Sequence, residues 1–399
     1  MKQELESEKM SPMNKKWEKA ISRQTPLYPH GRDIRSEFER DNNRILHSNA
    51  YSRLKHKTQV FFSPQSDHVC TRMEHVNYVQ SISYTIANYL GLNTELTRTI
   101  AQAHDLGHSP FGHQGEKIMS EIMKQELGQS FWHEKNGLHF VDDVELLEDN
   151  TGTMQNLNLT YAVRDGIISH CGEINENGLK PRRESVDLQD FQMPNQFSPY
   201  TWEGCIVKIA DKISYLGRDL KDAISLGIIE EQDLKELYDI LKLDINLNNT
   251  VIINELICDL CENSGIEQGI CFSEEKRQML DQIKDFNDKH IYLNSRLTPS
   301  VSYFSLVLQQ IYTTLKESYQ GIDTINKMKD RIKFSPRLVN GFSEWLKKYS
   351  NIRKRDNKYQ NKIIYQLENR QDYIRAILDY ISGMTDEYAM EIYQEIISF

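Results

Sequence analysis

The chain has 399 residues and a mass of 46.8 kDa, with 39% hydrophobic and 27% charged residues. This is too apolar for a disordered protein and long enough for a large buried core, two or three domains by length alone. Gly 19 and Pro 10 are too few for a turn-rich all-β architecture, and a net charge of −10, from 48 basic against 58 acidic residues, excludes a dedicated nucleic-acid coat.

The amino-terminal MKQELESEKM lacks the apolar core of a signal peptide, and no apolar run approaches the ~20 residues that cross a bilayer. The six cysteines follow no framework spacing, so the expectation is a reducing cytoplasm and no membrane partner. Along the chain, Gln59–Phe62 is the one strand-like piece. A helix is predicted from Thr71 to Leu90. Thr71 and Glu74 form a capping-box pattern, Val76, Val79, Ser83, Ile86 and Leu90 recur at helical spacing, and Gly91 stops it. A second helix is predicted from Thr94 to Leu106, with Leu96, Ile100 and Ala103 on its apolar stripe. Pro181, Pro194 and Pro199 mark an irregular connection before a third, from Thr201 through Ile209, Ile213 and Leu220 to Gly227. Cys258 and Cys261 form a CxxC within INELICDLCEN, but no second pair or nearby histidine completes a zinc site, so a packed helix face is expected. From Gly227 to Phe399 the chain is charged, tyrosine-rich and helical in pattern. The predicted fold is all-α.

Chemistry concentrates in AQAHDLGHSPFGHQG, residues 101–115, where three histidines and an aspartate fall between His104 and His113. Gly107 and Pro110 interrupt the helix that His104 and Asp105 end, which places the later histidines on a loop and the next helix start. A packed helix end holds metal ligands firmly while the loop beside it leaves room for substrate. Imidazole plus carboxylate suits a divalent ion such as Mn, Fe, Co, Zn or Mg. An adjacent His-Asp alone is ordinary. His75 on the preceding helix and Asp211 in CIVKIADKISYL strengthen it, because a carboxylate flanked by Ile209 and Ile213 lies close to the core and needs a neutralising partner. The order H…HD…D on three helices is the signature of HD-domain metal phosphohydrolases.

Six stretches narrow the reading: RLKHKTQVF, TRMEH, HDLGHSPFGHQGE, FWHEKNG, ADKISYLGRDL and YISGMTDEYA. Together, in this order, they resemble the deoxyguanosine triphosphate triphosphohydrolase-like family, the dNTPase branch of the HD superfamily. The resemblance is dense from Arg32 to Asp222 and thin afterwards. It implies an HD-domain helical fold with additional C-terminal helices. Residues 1–230 would form the core carrying the active site, and 231–399 a helical region packed on it. The resemblance implies that His75, His104, Asp105 and Asp211 bind one divalent metal ion, Mn, Mg, Fe, Co or Zn. It makes His113 and Glu116 a catalytic pair and His133 a further active-site histidine, contacting phosphate or assisting proton transfer. For His108 an active-site role and a loop-stabilising hydrogen bond both stay open.

Substrate charge is an independent consideration. Between Arg44 and Arg72 lie five basic residues (Arg44, Arg53, Lys55, Lys57, Arg72) against one acidic, Asp67. A solvated basic face would explain such a run, but Arg72 stands three positions before His75 on the same side of its helix, as a triphosphate pocket would need. Asp211, Tyr215 and Asp219 recur every four residues, with Lys212 beside them, forming one polar stripe. By resemblance, Arg72 and Lys212 would hold phosphates, Tyr215 would pack against the sugar and exclude a 2′-hydroxyl, and Gln59 and Asp219 would contact sugar or base; Arg53 is counted with these substrate-binding residues. The expected activity is metal-dependent hydrolysis of a dNTP to deoxynucleoside and tripolyphosphate. The competing readings are an HD phosphohydrolase for another nucleotide and a scaffold that binds nucleotide or single-stranded nucleic acid without turnover. A homo-oligomer and a second, regulatory nucleotide are further expectations from the family, and the cluster Arg353, Lys354, Arg355 is either an allosteric or subunit contact or a solvated helix end.

Overall fold

Helix boundaries in this chain are set by short-range chemistry. In the computed structural model, which describes residues 2–27, 33–62, 68–171, 177–241, 249–353 and 355–398, helix α1 spans Arg72–Leu90. The Thr71 hydroxyl accepts from the Glu74 N–H and the Glu74 carboxylate accepts from the Thr71 N–H at 2.8 Å, while Gly91 ends the helix at φ 75°. Helix α2, Thr94–Ala103, is capped by Asn93 and stops three residues earlier than the apolar pattern suggested, because His104 already acts as its C-cap. Then follow α3 (Gly112–Leu127), α4 (His133–His139) and α5 (Tyr161–Ser169). Helix α6, Trp202–Ser225, begins where Thr201 accepts from the Gly204 N–H at 3.0 Å. Helices α7 (Glu274–Asn287), α8 (Thr298–Lys316), α9 (Pro336–Tyr349), α10 (Arg370–Ser382) and α11 (Asp386–Ile397) make up most of the later framework.

The architecture is all-α. Among the described residues the one sheet is a hairpin of β1 (Leu146–Glu148) and β2 (Met154–Asn156), antiparallel with Leu147 opposite Gln155. Residues 59–62 do not form the expected strand. Thr58 makes a single bridge to Thr71, and the Thr58 N–H is taken by the Asp386 carboxylate at 2.8 Å, so no ladder can extend. The Cys258–Cys261 pair lies on the helix Asn249–Asn263 with Cys258 exposed and Cys261 buried, as a packed amphipathic face requires. No helix among the described residues is long and apolar enough to cross a membrane.

Packing brings sequence-distant helices together around the functional centre. Helix α1 packs on α2, and α6 crosses α1, α2 and α5. On the other side α8 packs on α3, α10 and α11. One apolar core runs continuously from Leu5 and Met10 to Ala389 and Ile392. A smaller cluster that includes Phe61, Leu220, Ile229 and Phe286 sits near the far end of α6.

Candidate active site

The first turn of α1, the end of α2, the start of α3 and the middle of α6 all face one cavity of about 770 Å³. Close backbone approach is required to close it. A Cβ on Gly107 would fall 2.0 Å from the His133 carbonyl oxygen and 2.1 Å from the Gly137 nitrogen, so glycine is needed where the 104–111 loop meets α4. Phe111, at φ 64°, turns the chain into α3, and its N–H is held by the Asp386 carboxylate at 2.8 Å.

The four expected metal ligands meet at one end. His75 Nε2 lies 2.9 Å from Asp211 Oδ1 and 3.8 Å from Asp105 Oδ2, and His104 Nε2 lies 3.6 Å from Asp105 Oδ1 and 3.8 Å from Asp211 Oδ1. A divalent ion bonded at ~2.0–2.2 Å places its ligand atoms ~3–4 Å apart, so these separations fit one ion. The orphaned atom tests the fit further. His104 Nδ1–H donates to the Ala101 carbonyl at 2.6 Å, which leaves Nε2 as a lone pair that is buried without a hydrogen-bond partner. Burial alone would raise the Asp211 carboxyl, but the His75 hydrogen bond and charge hold it down at about 2.

Around this group lie the remaining histidines. His108 Nε2 donates to Asp105 Oδ1 at 2.9 Å, and burial pushes its imidazole well below the usual range, so it stays neutral and orients the carboxylate. Its ring stacks on His133 at 3.8 Å between centroids. Glu116 leans mainly on His133: its Oε1 accepts from the His133 N–H at 3.0 Å, and its two oxygens lie 3.2 and 3.1 Å from His133 Nδ1. His113, whose side chain is 59% exposed, is 3.5 Å from Glu116 Oε2, so the expected His113–Glu116 pair is present but shared with His133. Burial opposes charge on His133, yet Glu134 and Glu116 outweigh it and raise that imidazole to about 9.

Arg72 is 1% exposed and bonds Asp105 Oδ2 at 2.9 Å and the Gln59 carbonyl at 3.3 Å, with its side chain on the cavity wall. Gln59 Oε1 is buried there without a partner. Lys212 and Tyr215 line the cavity as their spacing from Asp211 requires. Asp219 lies deeper, accepting from the Tyr292 hydroxyl at 2.5 Å, and burial raises its carboxyl to about 6.

Arg53 does not join this cavity. The 3-10 turn Leu54–His56 separates it from Gln59, and the buried Glu145 carboxylate captures its Nη2 at 2.7 Å beside a separate cavity of about 530 Å³ lined by Trp345 and Tyr349. Two more residues of the basic run are also spent on structure, and Lys55 is exposed. Arg44 Nε donates to the Leu157 carbonyl at 2.5 Å, and Lys57 Nζ donates to the His108 and Ser382 carbonyls. Arg72 alone of the five lines the cavity; Asp67, its acidic member, lies outside the described residues. Lys354 does too, while Arg355 is committed to the Lys348 carbonyl at 2.7 Å and to Asn361 Oδ1 at 2.7 Å.

Several cavity residues carried no local signal. His170, at the end of α5, and Glu134 stand beside His133, and Lys117, Lys208, Lys284 and Arg296 supply positive charge from elsewhere in the chain. Asp386 was visible only as part of YISGMTDEYA; the structure shows it holding the Thr58 and Phe111 N–H groups, each at 2.8 Å.

Comparison with known proteins agrees with this geometry. The HD domain family matches residues 72–216, a span that contains all four candidate ligands, and a phosphohydrolase-associated domain matches residues 343–395, which contain Asp386. A protein of Caldanaerobacter subterraneus subsp. tengcongensis is 33% identical over 91% of this chain and 86% of its own length. One from Rickettsia bellii is 31% identical over 94% of this chain and 96% of its own, and one from Rickettsia prowazekii 32% identical over 91% and 92%. All three are named deoxyguanosinetriphosphate triphosphohydrolase-like proteins.

Proposed function

This chain belongs to the deoxyguanosinetriphosphate triphosphohydrolase-like family of HD-domain hydrolases, and from that premise we propose that it is a metal-dependent dNTP triphosphohydrolase. Water attacks the α-phosphorus, the bond from that phosphorus to the 5′ oxygen breaks, and the products are a deoxynucleoside and intact tripolyphosphate. The observation that carries the reading is the buried, unpartnered His104 Nε2 where His75, Asp105 and Asp211 converge, in a cavity that also presents Arg72 and Lys212. A divalent ion held by His75, His104, Asp105 and Asp211 supplies Lewis-acid polarisation of a phosphate oxygen.

The chain's own groups do the rest. Arg72 and Lys212 offset charge on the phosphates, and the buried ion pair from Arg72 to Asp105 fixes the arginine before substrate arrives. His113, beside Glu116, handles the proton that leaves the attacking water and the one that the 5′ oxygen gains; burial works against charge on Glu116, but His133 holds it ionised well below the ordinary range. Tyr215 packs against the sugar and leaves no room for a 2′-hydroxyl, and Gln59 Oε1 with Asp219 meets sugar or base. Residues 1–230 carry the catalytic groups, and 231–399 complete the recognition wall.

The test is a panel of the four dNTPs, singly and in pairs, with Mg²⁺ or Mn²⁺, alongside nucleoside monophosphates and alarmones. Tripolyphosphate from at least one dNTP is expected. Turnover confined to a monophosphate or alarmone would replace this reading with another HD phosphohydrolase.

A further inference from the structure

The loop that carries His104, Asp105 and His108 is fastened from outside at three points. Asn136 Nδ2, from α4, donates to the Gly107 carbonyl at 2.7 Å. Lys57 Nζ donates to the His108 carbonyl, and the Phe111 N–H donates to Asp386 at 2.8 Å. All three fastenings lead to the end of α10 and the turn after it. The same Lys57 Nζ donates to the Ser382 carbonyl at 3.0 Å, and the same Asn136 amide donates to Ser382 Oγ at 3.4 Å. Asp386 also takes the Thr58 N–H. Residues 57–58, the loop and the turn 382–386 therefore meet at one junction.

Lys57 is the costly member of that junction. It is 4% exposed, and an ammonium group buried so far loses its hydration. The end of α10 supplies an offset. Ser382 is the last residue of the helix, so its carbonyl has no partner within the helix and belongs to the negative pole of the helix dipole. Asp386 and Glu145 add negative charge nearby, while Arg53 and Arg72 oppose it. An amine donates N–H in either protonation state, so the two bonds do not depend on its charge. Lys57 does not line the cavity and meets no phosphate there.

What Lys57 fixes is the backbone of His108. The His108 ring donates to Asp105 Oδ1 at 2.9 Å and stacks on His133, so a shift of that backbone moves a carboxylate of the candidate metal group. We propose that Lys57 is a positioning residue: acting through His108, it sets the Asp105 carboxylate for the metal and ties that setting to the end of α10. The inference rests on the metal-binding reading of the site, and it holds for any phosphate ester that the cavity accepts.

Lys57→Met keeps the apolar stem and removes the donors. Equilibrium dialysis of the full chain against Mn²⁺ reads the metal group without turnover, and steady-state rates of tripolyphosphate release read the reaction. The expected result is Mn²⁺ binding weaker by about tenfold, the scale of a lost ligand-orienting partner. With it, kcat should fall about 10²-fold while KM changes little, as misplacement without loss of a substrate contact requires. Lys57→Gln, one bond shorter, should hold one carbonyl, release the other and fall between. A folded Lys57→Met with unchanged Mn²⁺ affinity and kcat overturns the proposal, as does a loss confined to KM. If Lys57→Met does not fold, Lys57→Gln decides, and unchanged Mn²⁺ affinity and kcat there overturn the proposal. Weaker Mn²⁺ binding in the variants, with no tripolyphosphate from any dNTP even in the unaltered protein, would support the role of Lys57 while removing the substrate assigned above. No Mn²⁺ bound by the unaltered protein would overturn both the proposal and the metal reading beneath it.

Discussion

The two ends of the cavity are built by different means. At the chemical end, His75, His104, Asp105 and Asp211 come from the turns and faces of α1, α2 and α6, and each is fixed by a hydrogen bond or ion pair within the cluster or to backbone close in sequence. At the recognition end, Tyr215 and Asp219 share the cavity wall with Tyr292, Arg296 and Phe304, which arrive from the later half of the chain, and Tyr292 donates to Asp219. The first end depends on atoms held to within a bond length, the second on a wall assembled by packing. Perturbing the first should therefore stop turnover, and perturbing the second should shift affinity and selectivity.

The largest effect is expected at the chemical end. His104→Ala or Asp105→Ala should lower kcat/KM by about 10³-fold or more, read by tripolyphosphate release, since each removes a proposed metal ligand from the buried cluster. A smaller loss tests the frame behind that end. Asp386→Asn would turn an amide N–H toward one of the two backbone donors that Asp386 now satisfies. It should cost kcat about 10²-fold through misplacement of the Phe111 turn and leave KM little changed. A rise in KM with kcat intact would move Asp386 to the recognition side and break the comparison.

At the recognition end, Tyr292→Phe removes the hydroxyl that donates to Asp219. KM should rise by about tenfold, the value of one hydrogen bond of ~1.4 kcal/mol, with kcat nearly unchanged. The direction of titration follows from the same bond. Burial raises the Asp219 carboxyl to about 6 and the Tyr292 hydrogen bond restrains it, so the variant should move the acidic limb of the KM profile to higher pH.

The smallest effect lies away from both ends, where His139 Nδ1 meets Asp143 and Nε2 meets Asp379, each at 3.0 Å. Burial works against its charge, but Asp379 and Asp143 outweigh it and raise the imidazole to about 10. Its unfolded value is ~6.5, so the charged form's stabilisation is complete below that pH and fades as pH climbs toward 10. The Tm gap between the protein and His139→Gln should be widest near pH 6 and close by pH 10, with turnover unaffected at pH 7.

What could be read from sequence follows the same division. Thr71, Glu74 and Gly91 announce the first long helix because capping is local, and the HD pair declares itself because ligands fixed at a helix end need only neighbouring residues. Arg53 lies outside the cavity, because charge count does not reveal which carboxylate, here Glu145, takes the guanidinium. His170 carries no sequence signal because a single histidine after YAVRDGIIS has no partner nearby in sequence, and only the folded chain sets its ring edge to face against His104. Tyr292 and Lys284 reach the cavity through tertiary packing that no short spacing encodes. The hairpin of β1 and β2 went unseen because three-residue strands carry no alternation to detect.

The central claim is attack by water on the α-phosphorus of a deoxynucleoside triphosphate, and isotope placement tests it most directly. Turnover of a dNTP in ¹⁸O-water, with both products analysed by mass spectrometry, should give tripolyphosphate carrying one ¹⁸O and an unlabelled deoxynucleoside. Release of pyrophosphate with a nucleoside monophosphate, or label in the deoxynucleoside, would contradict the account.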